Sequence, residues 1–271
     1  MAIAVRGLFA FAAPRVCGGR RPARPRRAYR VRQALGGAGM GAYLISMSQP
    51  QNHRTGPSSS SSSGAPGFVW ALVGLLAAIE LLLTAAESGW IGEPRLRSIA
   101  ILLGAFWPPL LAPGAGELYP FQREAMFLTH AFLHANLLHL VMNGVILLSL
   151  GKVIGERVGR VRLFLLFALS AIAGGAAFGL ISMSHGPMIG ASGAAFGFFG
   201  LWNAWEFQRR RARGLSLRPV LGTVMGLILA NIALFVFLQG GLAWEAHLGG
   251  YLMGWAAAFT FCRLPTLRPQ A

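Results

Sequence analysis

Between residues 68 and 261 the chain repeats one unit: an apolar run of spanning length, closed by a short polar connection or a cluster of arginines. A helix needs about 20 mostly apolar residues to cross a hydrocarbon core about 30 Å thick. Inside that core every backbone N–H and C=O must be bonded within the chain. Together these requirements leave an α-helical bundle as the available fold. The runs read as six spans, at about 68–86, 129–150, 163–182, 190–205, 219–238 and 242–261. The connection between the first two is long, about 87–123, and holds an apolar stretch at 99–111 broken by Pro108 and Pro109. That stretch is too short for a span, so it reads as an interfacial or re-entrant helix.

The net charge of +16 raises the question of nucleic acid, but the placement of the charges answers it. Ten of the 24 basic residues precede residue 55, and most others sit between apolar runs. Only 12% of the residues are charged, against about a quarter in soluble domains. With six spans, the N-terminal tail, Lys152 to Arg162, Arg209 to Arg218, and the tail with Arg263 and Arg268 all fall on one face. The positive-inside rule then puts both termini in the cytosol. Seven spans would separate the two tails and break the pattern. The expected partner surface is therefore the lipid bilayer, with no nucleic acid. A bacterial inner membrane is the expected location, and the mitochondrial inner membrane is the alternative.

Three regions follow. Residues 1–67 carry ten arginines, no acid and a serine run from Ser58 to Ser63, and read as a disordered basic tail. Such a tail suits contact with anionic lipid, a mitochondrial transit peptide, or an over-long gene model whose true start is Met40 or Met47. Residues 68–262 form the six-span domain, and 263–271 a short cytosolic tail. Cys17 and Cys262 stand far apart in the sequence, so neither a disulfide nor a metal role is expected for them.

Polar residues within spans are costly, which makes each a functional candidate. Gly190-Ala191-Ser192-Gly193 stands where loop becomes helix, and its glycines leave the serine oxygen uncrowded. The free N–H groups of a first helical turn, with the positive end of the helix dipole, can stabilise an oxyanion there. Under the six-span topology Ser192, His247, His130, His134, His139, Asn143 and His185 all lie toward the non-cytosolic side. His53, in the tail, is the one histidine elsewhere. Gly193 and Gly197, and Gly250 and Gly254, form small-xxx-small pairs that let two membrane helices touch through their backbones. Phe196, one turn below Ser192, can stack on the His247 ring. His139 and Asn143, at i and i+4, share a helix face.

Five motifs carry a family resemblance: His130-Ala-Phe-Leu-His134, His139-Leu-Val-Met-Asn143, Gly155-Glu-Arg-Val-Gly159, Gly190-Ala-Ser192-Gly193 and Ala246-His247-Leu-Gly-Gly250. In this order and on these spans they resemble the rhomboid intramembrane serine proteases, over about residues 68–262. The resemblance implies a six-helix rhomboid-like bundle with an interfacial hairpin between the first and second spans. It implies Ser192 as nucleophile and His247 as general base, with no cofactor or metal. His139, Asn143 and the Ser192 amide would bind the oxyanion, supported by Gly190 and Phe196. Substrates would be single-span or multi-span membrane proteins, cut at small residues. Two positions depart from the family pattern. Ala125-Met126 replaces an aromatic–arginine pair common in the long connection, and Phe196 replaces a tyrosine.

The chain has no aspartate, which excludes a Ser-His-Asp triad, and Glu245 lies on a different side of the helix from His247. Three competing readings are weaker. A metalloprotease could use the His130/His134 spacing, but no HExxH occurs. A non-catalytic rhomboid-like protein that binds membrane clients would be expected to lack the serine or the histidine. A transporter would show an internal repeat, which is not evident.

Overall fold

The computed structural model describes residues 65–261. Cys17, Cys262, Met40, Met47 and the expected tails lie outside the described residues, apart from the stretch 65–67. Eight α-helices run through the described residues, with one isolated bridge and no strand. They are α1 (Ala65–Glu87), α2 (Leu96–Gly104), α3 (Gln122–Thr129), α4 (Leu137–Val158), α5 (Arg160–Ile181), α6 (Ser192–Ala212), α7 (Arg218–Phe237) and α8 (Trp244–Phe261). Four are long and apolar enough to cross a membrane: Gly67–Glu87 within α1, and α4, α5 and α7. The α6 and α8 helices are more polar, carrying Asn203, Glu206, Glu245 and His247, all of them buried.

Those two polar helices sit together at the centre, and glycine is the reason they can. A Cβ on Gly250 would run into the Gly193 carbonyl, and one on Gly254 into the Gly197 carbonyl. The α5 helix joins the same contact, since a Cβ on Gly174 would meet the Ala246 carbonyl oxygen at 2.9 Å. Backbones this close gain dispersion and exclude lipid without a hydrophobic driving force. Around them Leu76, Leu147, Ile154, Leu166, Phe198 and Leu201 form a continuous buried core. Near the end of α4 the Arg157 guanidinium lies 4.7 Å from the Trp202 ring centroid and 5.0 Å from that of Trp205. This double cation–π contact ties α4 to α6. The α7 helix, by contrast, buries only Val220.

The second expected span requires a correction. The apolar pattern predicts it over 129–150, yet α4 begins at Leu137, because the side chain of Asn136 accepts a hydrogen bond from the His139 amide at 2.9 Å. An N-cap of this kind satisfies one of the orphan donors of the first turn and fixes where the helix starts. Residues before it form α3 and a 3-10 turn, His130–Phe132. His130 and His134 therefore share no helix face, which removes the premise of the metal reading.

The long connection is held in place by polar contacts that the sequence reading did not identify. Arg97 on α2 donates to both carboxylate oxygens of Glu80 at 3.0 Å, to Glu87 at 2.8 Å, and to the His134 carbonyl at 2.8 Å. Glu80 is fully buried in α1, and its hydrogen bonds raise the Arg97 pKa above the ordinary value. A buried carboxylate is tolerable because the guanidinium fork satisfies it. Phe106 and Met188 exchange two backbone hydrogen bonds of 2.9 Å, joining this connection to the loop before Ser192. The stretch expected as one interfacial or re-entrant helix is two pieces, α2 and a 3-10 turn at Pro108–Leu111.

Candidate active site

Ser192 is the first residue of α6, after Ala191 at the N-cap. The first intrahelical bond at this end runs from the Ala195 amide to the Ala191 carbonyl, at 3.0 Å. The amides of Ser192, Gly193 and Ala194 therefore have no acceptor within the helix, and they mark the positive end of its dipole. The loop that delivers Ser192 is pinned twice. Met188 pairs with Phe106, and the Gly190 amide donates to the His130 carbonyl at 2.9 Å.

Gly190 has φ +124°, which disfavours any residue with a side chain, and its surroundings leave no room for one. A Cβ there would lie 2.8 Å from His139 Nε2 and 3.7 Å from Asn143 Nδ2. Both side chains, one turn apart on α4, thus converge on the residue two before Ser192. The Ala135 N–H faces His139 Nδ1 at 3.5 Å. That contact favours the tautomer with its hydrogen on Nε2, toward Gly190. Asn143 is buried, and its Nδ2 makes no hydrogen bond.

His247 lies in the first turn of α8 and is buried. Its ring stacks flat on Phe196, with centroids 4.1 Å apart and planes inclined by 6°. Its Nδ1 is 2.6 Å from Asn231 Oδ1 on α7. The Gly193–Gly250 contact brings the helix turns bearing Ser192 and His247 together. No hydrogen bond joins Ser192 Oγ to the ring; in unliganded sites such bonds are often long and tighten only with substrate. A cavity of about 560 Å³ opens beside His247 between α6, α7 and α8, and is lined by apolar side chains with Asn231 among them.

The ring nitrogens of His130 and His134 hydrogen-bond none of Ser192, His139, Asn143 and His247. His130 Nε2 is 3.3 Å from the Ala171 carbonyl, and His134 is fully buried against His139 with both ring nitrogens unpaired. Three residues escaped the sequence reading: Glu80, Arg97 and Asn231. Glu80 and Asn231 each interrupt an otherwise apolar run, so the cost of polar groups in spans was the signal that could have found them. Arg97, outside the spans, gave no such signal.

Comparison with known proteins shows the family. The family model of the Rhomboid domain matches residues 122–264. Rhomboid-like protease 1 of Toxoplasma gondii is 28% identical over 170 residues, 60% of this chain and 53% of the relative. Rhomboid-like protease 3 of the same organism is 31% identical over 173 residues, 60% of this chain and 57% of the relative. Rhomboid protein 1, mitochondrial, of Saccharomyces cerevisiae is 34% identical over 137 residues, 46% and 38% of the two chains. The chain spans about half the length of the Toxoplasma relatives. With the Rhomboid domain covering most of the helices described above, this all-helical integral membrane protein belongs to the rhomboid family.

Proposed function

We propose that the chain is an intramembrane serine endopeptidase that cuts membrane-protein substrates with a Ser192–His247 dyad. The observation that carries this reading is the buried, unpartnered Asn143 Nδ2, which faces Gly190 beside His139 Nε2. Buried donors are nearly always paired. Two donors converging on Gly190, two residues before a free helix N-terminus, suit a site that waits for an anion.

The chemistry then runs as follows. Ser192 Oγ attacks the scissile carbonyl while its proton passes to His247 Nε2. The oxyanion is held by Asn143, by His139 and by the free amides that open α6. As the tetrahedral intermediate collapses, the imidazolium gives its proton to the leaving amine. Water then releases the acyl group by the same two steps in reverse roles. Extended substrate backbone is tolerable in a membrane only where protein or water surrounds it, so substrates that unwind readily near the cut are favoured.

The reading includes six spans, α6 and α8 joining the four more apolar helices. The domain occupies 68–262, flanked by a basic tail and a short C-terminal one. The basic clusters put both termini in the cytosol of a bacterial inner membrane, with a mitochondrial inner membrane as alternative. The test is to incubate detergent-purified full-length protein with a panel of single-span substrates. Ser192→Ala and His247→Ala should each abolish cleavage without loss of folding. The double variant should be no worse than either alone, because residues that act as a unit are non-additive. Substantial turnover by Ser192→Ala would remove the serine mechanism.

A further inference from the structure

The His247 ring has two nitrogens, and a base needs the right one free. We propose that Asn231 is the positioning residue of this base: it fixes the tautomer that carries hydrogen on Nδ1 and leaves Nε2 open to take the Ser192 proton. The inference rests on the dyad reading above and adds a residue to it from a third helix.

An asparagine amide can be turned either way, so its partners must decide which end meets the ring. Here Asn231 Nδ2 donates to the Leu227 carbonyl at 2.8 Å, one turn back on the same helix. A carbonyl only accepts, so the NH2 end is committed to it and Oδ1 is left to face His247 Nδ1 at 2.6 Å. The reversed amide would set oxygen against the Leu227 oxygen. Since Oδ1 only accepts, Nδ1 must be the donor, and the lone pair of the neutral ring resides on Nε2. Phe196 fixes the plane of the same ring from its face. Plane and tautomer are thus set by two residues on two different helices. In hydrolases with a triad a carboxylate has this orienting task, and no acidic side chain hydrogen-bonds His247 among the described residues.

The setting of Asn231 argues the same way. It lies on α7, whose side chains are mostly exposed and apolar, as suits a face toward lipid. An amide there is costly unless it is satisfied at both ends, and both ends are satisfied, one of them by the base. During attack the proton leaves Ser192 Oγ for Nε2 as the Oγ–C bond forms, while the Nδ1–H stays on the ring and keeps its bond to Asn231. A neutral amide cannot stabilise the imidazolium as a carboxylate does. The expected effect is therefore smaller than the roughly 10⁴-fold loss seen when a triad's tautomer is wrong.

The test compares Asn231→Leu, which suits the apolar surroundings but has no acceptor, with Asn231→Asp, which restores an acceptor at the same place. Full-length purified protein is assayed for kcat and KM on a single-span substrate, and for the rate of fluorophosphonate labelling at Ser192. Asn231→Leu should lower kcat and labelling by about 10- to 100-fold with KM little changed, and Asn231→Asp should recover most of the loss. Asn231→Ala replaces the leucine variant should the latter not fold. Wild-type rates in a folded variant without the acceptor would overturn the proposal. So would equal losses in the leucine and aspartate variants, or a loss confined to KM. The dyad reading fails on separate grounds, if Ser192→Ala or His247→Ala still cleaves.

Discussion

Asn143 is a buried donor with nothing to donate to, and that fixes what its removal should do. Truncating a hydrogen-bonded side chain in a core leaves its partner unsatisfied and costs stability. The Asn143 amide nitrogen has no partner to abandon. Asn143→Ala should therefore leave thermal unfolding in detergent nearly unchanged while slowing substrate cleavage. Loss of one oxyanion donor costs about a hundred- to a thousandfold in other hydrolases. His139 and backbone amides would share the task here, so a loss of about a hundredfold or less is expected, with fluorophosphonate still attached at Ser192. Full activity in this variant would return Asn143 to a packing role. At this scale much was readable in the sequence. Ser192, His247, His139, Asn143, Gly190 and Phe196 could be named from motif and spacing, and the structure groups the latter five around two points, Gly190 and the His247 ring. Asn231 could not be placed, because its partner is 16 residues away on another helix and no spacing rule links them.

At the scale of helices, glycine has opposite meanings in different places. On α8, Gly254 backs directly onto the Gly197 carbonyl of α6, and a fixed backbone atom cannot move aside for a methyl group. On α7, Gly222 has nothing within 4 Å of where a Cβ would stand. Gly254→Ala should separate α6 from α8, lowering both the unfolding temperature and the cleavage rate, since Ser192 and His247 ride on those two helices. Gly222→Ala should be neutral or stabilising by up to about 1 kcal/mol, because alanine is the better helix former. Comparable melting of the two variants would contradict the close-packing account. The small-xxx-small pairs were visible in the sequence, as were the apolar runs that form α1, α4, α5 and α7. The start of α4 was not, because residues 129–136 hold no glycine or proline to mark a break before the apolar run, and only the cap at Asn136 separates them. The Arg97–Glu80 clamp was equally hidden, since it links helices that sequence alone gives no reason to pair.

For the molecule as a whole, the remaining question is which way it faces, and charge together with helix length decides the expectation. The Arg157 guanidinium on α4 rests on Trp202 and Trp205 of α6, and one turn further on Arg209 and Arg210 pair with Glu206. The two basic clusters, 152–162 and 209–218, are therefore neighbours at one end of the bundle. Ser192 opens the same α6 helix, whose 21 residues at 1.5 Å each span about 30 Å, close to the thickness of the hydrocarbon core. If the arginines are retained in the cytosol, Ser192 and the loop before it belong to the opposite face. Pro187 and Arg211 are both exposed and report the two ends. Single cysteines at these positions, in a background without Cys17 and Cys262, can be challenged with an impermeant thiol reagent on sealed cells. Residue 187 should react and residue 211 should react only after the membrane is permeabilised. The reverse pattern would invert every helix, and with it the side of the membrane on which substrates are cut.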